Sequence, residues 1–232
     1  MRSAVEDQPA TGSARADARD VVTAGVLLAV LAVAAQTVLY LVDVYALDRR
    51  VGTLDLDRES GLSAWAATVA TFSTGFVALL LCFVETWRRA RLLALAAAAT
   101  FFSFDEAIVL HERAGLAATD ALDLSDTYLR IAWPIVYLPL LAGVAFLLFD
   151  LARSSIGSAR RLLAAGLVLL GGAVGLEIAG LALDLIPTLN ETDWLYTFQI
   201  ALEEGSELAG WILLTTGLCV RLLCPEPHRT LP

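Results

Sequence analysis

The sequence predicts an all-α fold, an integral membrane bundle of six transmembrane helices, and three observations predict it. Apolar residues make up 58% of the 232 residues, above the roughly 45–50% of an ordinary soluble domain. Charged residues make up only 18%, against about 25% in soluble domains. The apolar residues fall into six blocks, at 21–45, 62–84, 90–113, 130–151, 160–185 and 195–222. Each is near the roughly 20 residues that a helix needs to cross a hydrocarbon core.

Residues 1–20, MRSAVEDQPATGSARADARD, are small, polar and mixed in charge, so they are expected to form a disordered tail. Residues 21–223 form the six-helix domain, and 224–232 a second short tail. The stretch VLAVAAQ in the first block has the small residues of a signal-peptide cleavage site. The apolar run continues through TVLYLV without a break, so the block is assigned as the first span. The second block carries Thr68, Thr71 and Thr74 at a spacing of three. The fourth contains WPIVYLP, where Pro134 and Pro139 each remove a backbone donor and bend a helix. Gly171 and Gly175 in the fifth make a small-xxx-small face suited to close helix approach.

Orientation follows from arginine, since the chain has no lysine. Eleven of the 16 arginines fall in the two tails and the second and fourth loops, against five on the other side. The positive-inside rule then puts both termini in the cytoplasm. Tyr45, Trp65, Tyr128, Trp133, Trp194 and Tyr196 gather near the outer helix ends, and Trp87 near the inner ones, as amphipathic rings at headgroup depth do. Cys82, Cys219 and Cys224 are too few for a disulfide framework and sit toward the reducing side, as small packing residues.

The net charge of −9 lacks the basic footprint that phosphate requires, so nucleic acid is excluded as a partner and the lipid bilayer is the expected one. With two histidines, no glycine loop followed by lysine and no nucleophile elbow, haem, nucleotide and serine-hydrolase chemistry find no motif. His228, in the polar tail, is expected to be solvated.

The third block breaks the apolar rule. Its stretch FFSFDEAIVLHERAG holds Asp105, Glu106, His111, Glu112 and Arg113 within nine residues. Glu106 falls about 7 Å outward of that helix's middle, with His111 and Glu112 about 15 Å out. In the fifth block Glu177 lies about 6 Å out, with Asp184 at the interface. In the sixth, FQIALEEGSELAGW places Glu207 near the centre and Glu203 about 7 Å out. Glu203, Glu204 and Glu207 span an arc of about 100°. Acids from three helices therefore share one depth in the outer half.

A charged side chain at the bilayer centre costs about 2.5–3.5 kcal/mol on insertion scales. Asp105, Glu106, Glu112, Glu177, Glu203, Glu204 and Glu207 are thus expected to face a shared interior. Crowded carboxylates raise one another's pKa, so either most are protonated or a cation sits among them. Glu106, Glu177, Glu203 and Glu207 are the candidate proton or ion relay. The candidate metal ligands are those four with Asp105, His111, Glu112 and Glu204. Carboxylates with one imidazole suit Fe, Mn or Zn. The Asp-Glu-x4-His-Glu spacing departs from the Glu-x-x-His of four-helix di-metal proteins. His111 lies about 120° round the helix from Asp105, about 140° from Glu106 and about 100° from Glu112, which suits a ligand at the rim or the end of the helix. Gln36, Asp43, Ser103 and the threonine stripe are candidate supporting groups.

FSFDEAIVLHE (102–112) resembles a signature of uncharacterised bacterial multi-pass membrane proteins, often Leu-Ser-Leu-Asp-Glu followed by His-Glu; Phe104 stands here for the usual Leu. LEEGSELAG (202–210) resembles the Glu-Glu motif of their last helix. The resemblance implies a family and a bacterial inner membrane, and no activity. Three functions stay open: a divalent-metal or proton-binding site serving redox or hydrolytic chemistry, a proton-coupled secondary transporter, and a structural or accessory protein whose protonated acids secure packing. Whether the chain is an enzyme, and which residue would be catalytic, stays open with them.

Overall fold

A computed structural model describes residues 12–56, 58, 61–125, 128–186 and 193–224. Most of both expected tails (1–11 and 225–232) and of the fifth loop lie outside the described residues. Among the described residues there is no strand. The helices are α1 (Gly12–Ala46), α2 (Leu62–Val84), α3 (Arg89–Ile108), α4 (Leu110–Ala121), α5 (Leu129–Ser154), α6 (Gly157–Asp184) and α7 (Trp194–Leu223), with a 3-10 turn at Thr86–Arg88 before α3. Residues 12–20, assigned to the tail from composition, are helical.

Five helices are long and apolar enough to cross a membrane: Ala16–Ala46, Leu62–Val84, Leu129–Ser154, Gly157–Asp184 and Trp194–Leu223. The third expected span, 90–113, is not one straight helix. It breaks at Val109, whose φ of 59° and ψ of 43° are left-handed, and the segments on either side are bent by 73°. A left-handed residue interrupts the helical ladder, and a β-branched one there is strained. Tertiary packing compensates. The turn lays α4 against α5 so closely that a Cβ on Gly115 would sit 2.6 Å from Leu129 Cδ1 and 3.0 Å from Trp133 Cβ. α4 has 12 residues and is about 18 Å long, too short to cross a bilayer, whereas the 20 residues of α3 reach about 30 Å.

Ala18 near the start of α1, Ala159 and Leu162 near the start of α6, and Val220 near the end of α7 pack together. Both ends of the described chain therefore lie at one end of the bundle, called here the terminal end. Tyr40, Val44, Leu56, Tyr196 and Ile200 pack together at the far end. α7 is the central helix, packed on α6, α1 and α2, while α5 packs on α6 and α4 and barely meets α3. The densest core is toward the terminal end, where Leu81, Leu92, Leu95, Leu148, Leu163, Leu214 and Leu218 are fully enclosed. Side chains that such a core leaves outside, Leu27, Leu28 and Leu31 of α1 among them, are apolar and exposed, as lipid-facing positions are.

One local expectation is corrected. Gly171 and Gly175 have no atom within 4 Å of where a Cβ would stand; the close α6–α7 approach is made instead at Gly166, whose Cβ would lie 2.8 Å from Gly210 O. Asp43 is fully buried and accepts the Val51 N–H at 3.0 Å.

At the terminal end an ion pair is closed inside the protein. Arg221 donates from Nε to Glu85 Oε1 at 2.6 Å and from Nη2 to Glu85 Oε2 at 2.7 Å. Its Nη1 donates to Ser155 Oγ. Arg221 is 1% exposed and Glu85 2%. Arg88 and Arg91 both reach Asp150 Oδ2 nearby, at 2.9 and 2.7 Å.

Candidate functional site

Where α5 leaves α3, a cavity of about 620 Å³ opens between α3, α4, α5, α6 and α7. Every site residue singled out from the sequence lines it: Asp105 and Glu106 of α3, His111 and Glu112 of α4, Glu177 of α6, and Glu203, Glu204 and Glu207 of α7. Asp184 lines it too, and Arg130 is the one arginine that does. Toward the terminal end the lining turns apolar, with Leu138, Leu141, Ala145, Leu167, Leu170 and Val174. Leu138, part of this apolar lining, is 60% exposed.

The break at Val109 brings His111 back over α3. Its Nδ1 lies 2.9 Å from Asp105 Oδ2, and Tyr137 of α5 donates from its hydroxyl to Asp105 Oδ1 at 2.8 Å. Asp105, 4% exposed, thus holds an imidazole on one oxygen and a phenol on the other. A carboxylate opposite Nδ1 fixes the proton there and leaves Nε2 as the nitrogen whose proton content changes. The ring is also packed: His111 meets Trp133 edge-on with centroids 5.0 Å apart, and Trp133 meets Tyr137 at 6.2 Å. On a straight helix His111 and Asp105 would stand about 120° apart; the bend at Val109 brings them into contact.

The far end of the cavity is organised by Arg130. It donates from Nε to Asp184 Oδ2 at 2.8 Å, from Nη1 to Glu177 Oε2 at 3.3 Å and from Nη2 to Tyr196 Oη at 2.8 Å. Positive-inside counting treats this arginine as a loop charge, and nothing in its local sequence marks it as a partner for acids on the next helix. Tyr196 and Trp133 are engaged with Arg130 and His111. Trp65, Trp194 and Tyr45 are exposed, as the aromatic belt requires.

On α7, Gln199 donates from Nε2 to Glu203 Oε2 and to Leu176 O. Trp211 donates from Nε1 to Glu207 Oε1 at 3.2 Å. Ser63 Oγ lies 3.1 Å from Glu204 Oε2 and 3.4 Å from Gln36 Oε1, so α1 and α2 reach the cluster from behind. Of the threonine stripe, Thr71 lines the cavity but bonds its own helix at Ala67 O. Thr74 pairs with Thr215 at 2.8 Å. Ser103 Oγ donates to Thr68 O at 2.9 Å rather than supporting Glu106.

The cavity thus sets many carboxyl groups against one guanidinium and one imidazole. In a low-dielectric interior such a set does not ionise together without a cation. The expected metal centre is not assembled: among the described residues no three His, Cys, Asp or Glu side chains come together as a group that could hold a metal ion. Most of the acids have a separate donor: Arg130 for Glu177 and Asp184, Gln199 for Glu203, Ser63 for Glu204 and Trp211 for Glu207.

The sequence profile of the family described as Domain of unknown function (DUF8692) matches residues 16–222, and the chain belongs to that family. No curated protein and no solved structure matches the chain.

Proposed function

We propose that this member of the DUF8692 family is a multi-pass membrane protein that holds and exchanges protons in its cavity. Glu106, Glu177, Glu203 and Glu207 are the carrying carboxylates. His111, oriented by Asp105 and Tyr137, passes protons between them and water beyond α4. The observation that carries this is the charge imbalance of the lining, where among the described residues Arg130 alone is a permanent cation. Protonation removes that imbalance without drawing the scattered acids together, which a metal ion would require. Six membrane crossings, with α3 as the third, are supported by both ends of the described chain lying at one end of the bundle. The arginine count supports a cytoplasmic terminal end, and the motif resemblance a bacterial inner membrane. The cavity then belongs to the outer half.

The deciding experiment is infrared spectroscopy of purified protein at neutral pH, with elemental analysis of the same sample. The expected result is a protonated-carboxyl band that weakens in Glu203→Gln and in Glu177→Gln, in a sample free of bound metal. A stoichiometric Fe, Mn or Zn content with no such band replaces the proton by a metal. A second reading, secondary transport coupled to these protons, is favoured by cavity size, because 620 Å³ falls within the roughly 300–1,000 Å³ of small-molecule sites.

A further inference from the structure

The cavity is amphipathic along its length, and this specifies a class of ligand. Its acidic part lies toward the far end. From Glu177 the α6 wall continues through Val174, Leu170 and Leu167, ten residues or about 15 Å of apolar surface toward the terminal end. That is the reach of an extended dodecyl chain. Leu138 of α5, exposed at 60%, and Gly171 of α6, with open space where a Cβ would stand, line the same stretch and leave room beside it.

The acidic end of the lining calls for a cation: among the described residues Glu177, Glu203, Glu204 and Glu207 line it with Arg130 as the one guanidinium. Trp133 and Trp211 also line the chamber, and aromatic faces attract cations.

We propose that the cavity binds a single-chain amphiphile with a primary or secondary ammonium head, entering sideways from the lipid. The ammonium sits among Glu203, Glu177 and Glu207 and displaces protons held there. The alkyl chain lies along Leu170, Leu167 and Leu138. This matches a molecule standing in the leaflet next to the far end, head outward and chain toward the bilayer middle. The inference rests on the proton-holding cluster for its head group and on the apolar wall for its chain.

The test is native mass spectrometry of the full-length protein released from detergent, offered dodecylammonium, dodecanoate or ethylammonium. One dodecylammonium per chain is expected to be retained, and neither of the other two. Glu203→Gln should weaken retention by about tenfold or more, the loss of one charge-assisted hydrogen bond. Gly171→Phe, which sets a ring where the chain would lie, should abolish it. Equal retention of dodecanoate, or unchanged dodecylammonium binding in both variants, overturns the proposal. The infrared measurement keeps the two readings apart. A protonated-carboxyl band without dodecylammonium binding sinks the ligand and leaves proton exchange standing. Binding without the band does the reverse.

Discussion

The two ends of this bundle treat buried charge in opposite ways. At the terminal end Glu85 meets Arg221 with two parallel bonds of 2.6 and 2.7 Å, and Ser154 and Ser155 accept from the remaining Nη1. In this pair charge is matched one to one, both partners are held by directed hydrogen bonds, and solvent is shut out. Toward the far end, acids of α3, α4, α6 and α7 look into a chamber of about 620 Å³ with Arg130 as their one guanidinium. The first arrangement is what a polar cluster looks like when its task is to fix packing. The second keeps room and an excess of one sign. That difference argues against a purely structural role for the acids of the cavity.

The comparison can be broken most forcefully at the terminal end. Arg221→Met leaves Glu85 buried without a cation, and the protein should lose about 3–5 kcal/mol of stability, measured by thermal or denaturant unfolding in detergent. Adding Glu85→Leu to that variant should restore most of the loss, because an apolar pair of similar volume is often neutral. A single variant as stable as the parent would mean that the pair does not hold the helices.

A smaller effect is expected at the boundary between the two regimes. Asp105→Asn keeps the shape but removes the carboxylate that serves both Tyr137 and His111. The expected cost is about 1–2 kcal/mol, and the histidine's NMR titration should shift as its Nδ1 partner changes. An unaltered titration would separate His111 from Asp105 and remove it from the proton path. The smallest change in stability is expected within the cavity itself. Glu207→Gln retains an acceptor for Trp211 Nε1 and removes one member of a like-charged set. Its stability should stay within about 0.5 kcal/mol of the parent, read from the same unfolding curves. A loss as large as that of Arg221→Met would place the cavity with the packing clusters.

Much of the helical layout was legible from hydropathy. The second block, 62–84, coincides with α2 (Leu62–Val84), and the fourth, fifth and sixth blocks match α5, α6 and α7 to within a few residues. The grouping of the acids was legible too, because depth along a helix follows from residue number alone. What lay hidden was contact between helices. Glu85 and Arg221 are 136 residues apart, and each appears in the sequence as an ordinary charge at a helix end. Tyr137 sits in the proline-bearing WPIVYLP with no local sign that its hydroxyl serves Asp105. Arg130 looks like a loop charge until α6 and α7 are brought beside it. Among the described residues the proposed metal ligands do not form a group of three, for a related reason. Shared depth and shared facing bring side chains into one chamber, but they do not make them converge on one point.

By itself, the sequence determined the apolar spans, the depth of the acids and the need for an interior to receive them. Those follow from the cost of charge in hydrocarbon and the fixed rise of a helix, which are properties of each segment alone. Only the tertiary structure decided that the chain turns by 73° beside Val109, bringing His111 onto Asp105, and that one arginine faces the acids across an open chamber. Those outcomes depend on how α4 seats on α5 and how far α5 stands from α3. Such distances are set by packing among residues remote in sequence, where no local pattern records them.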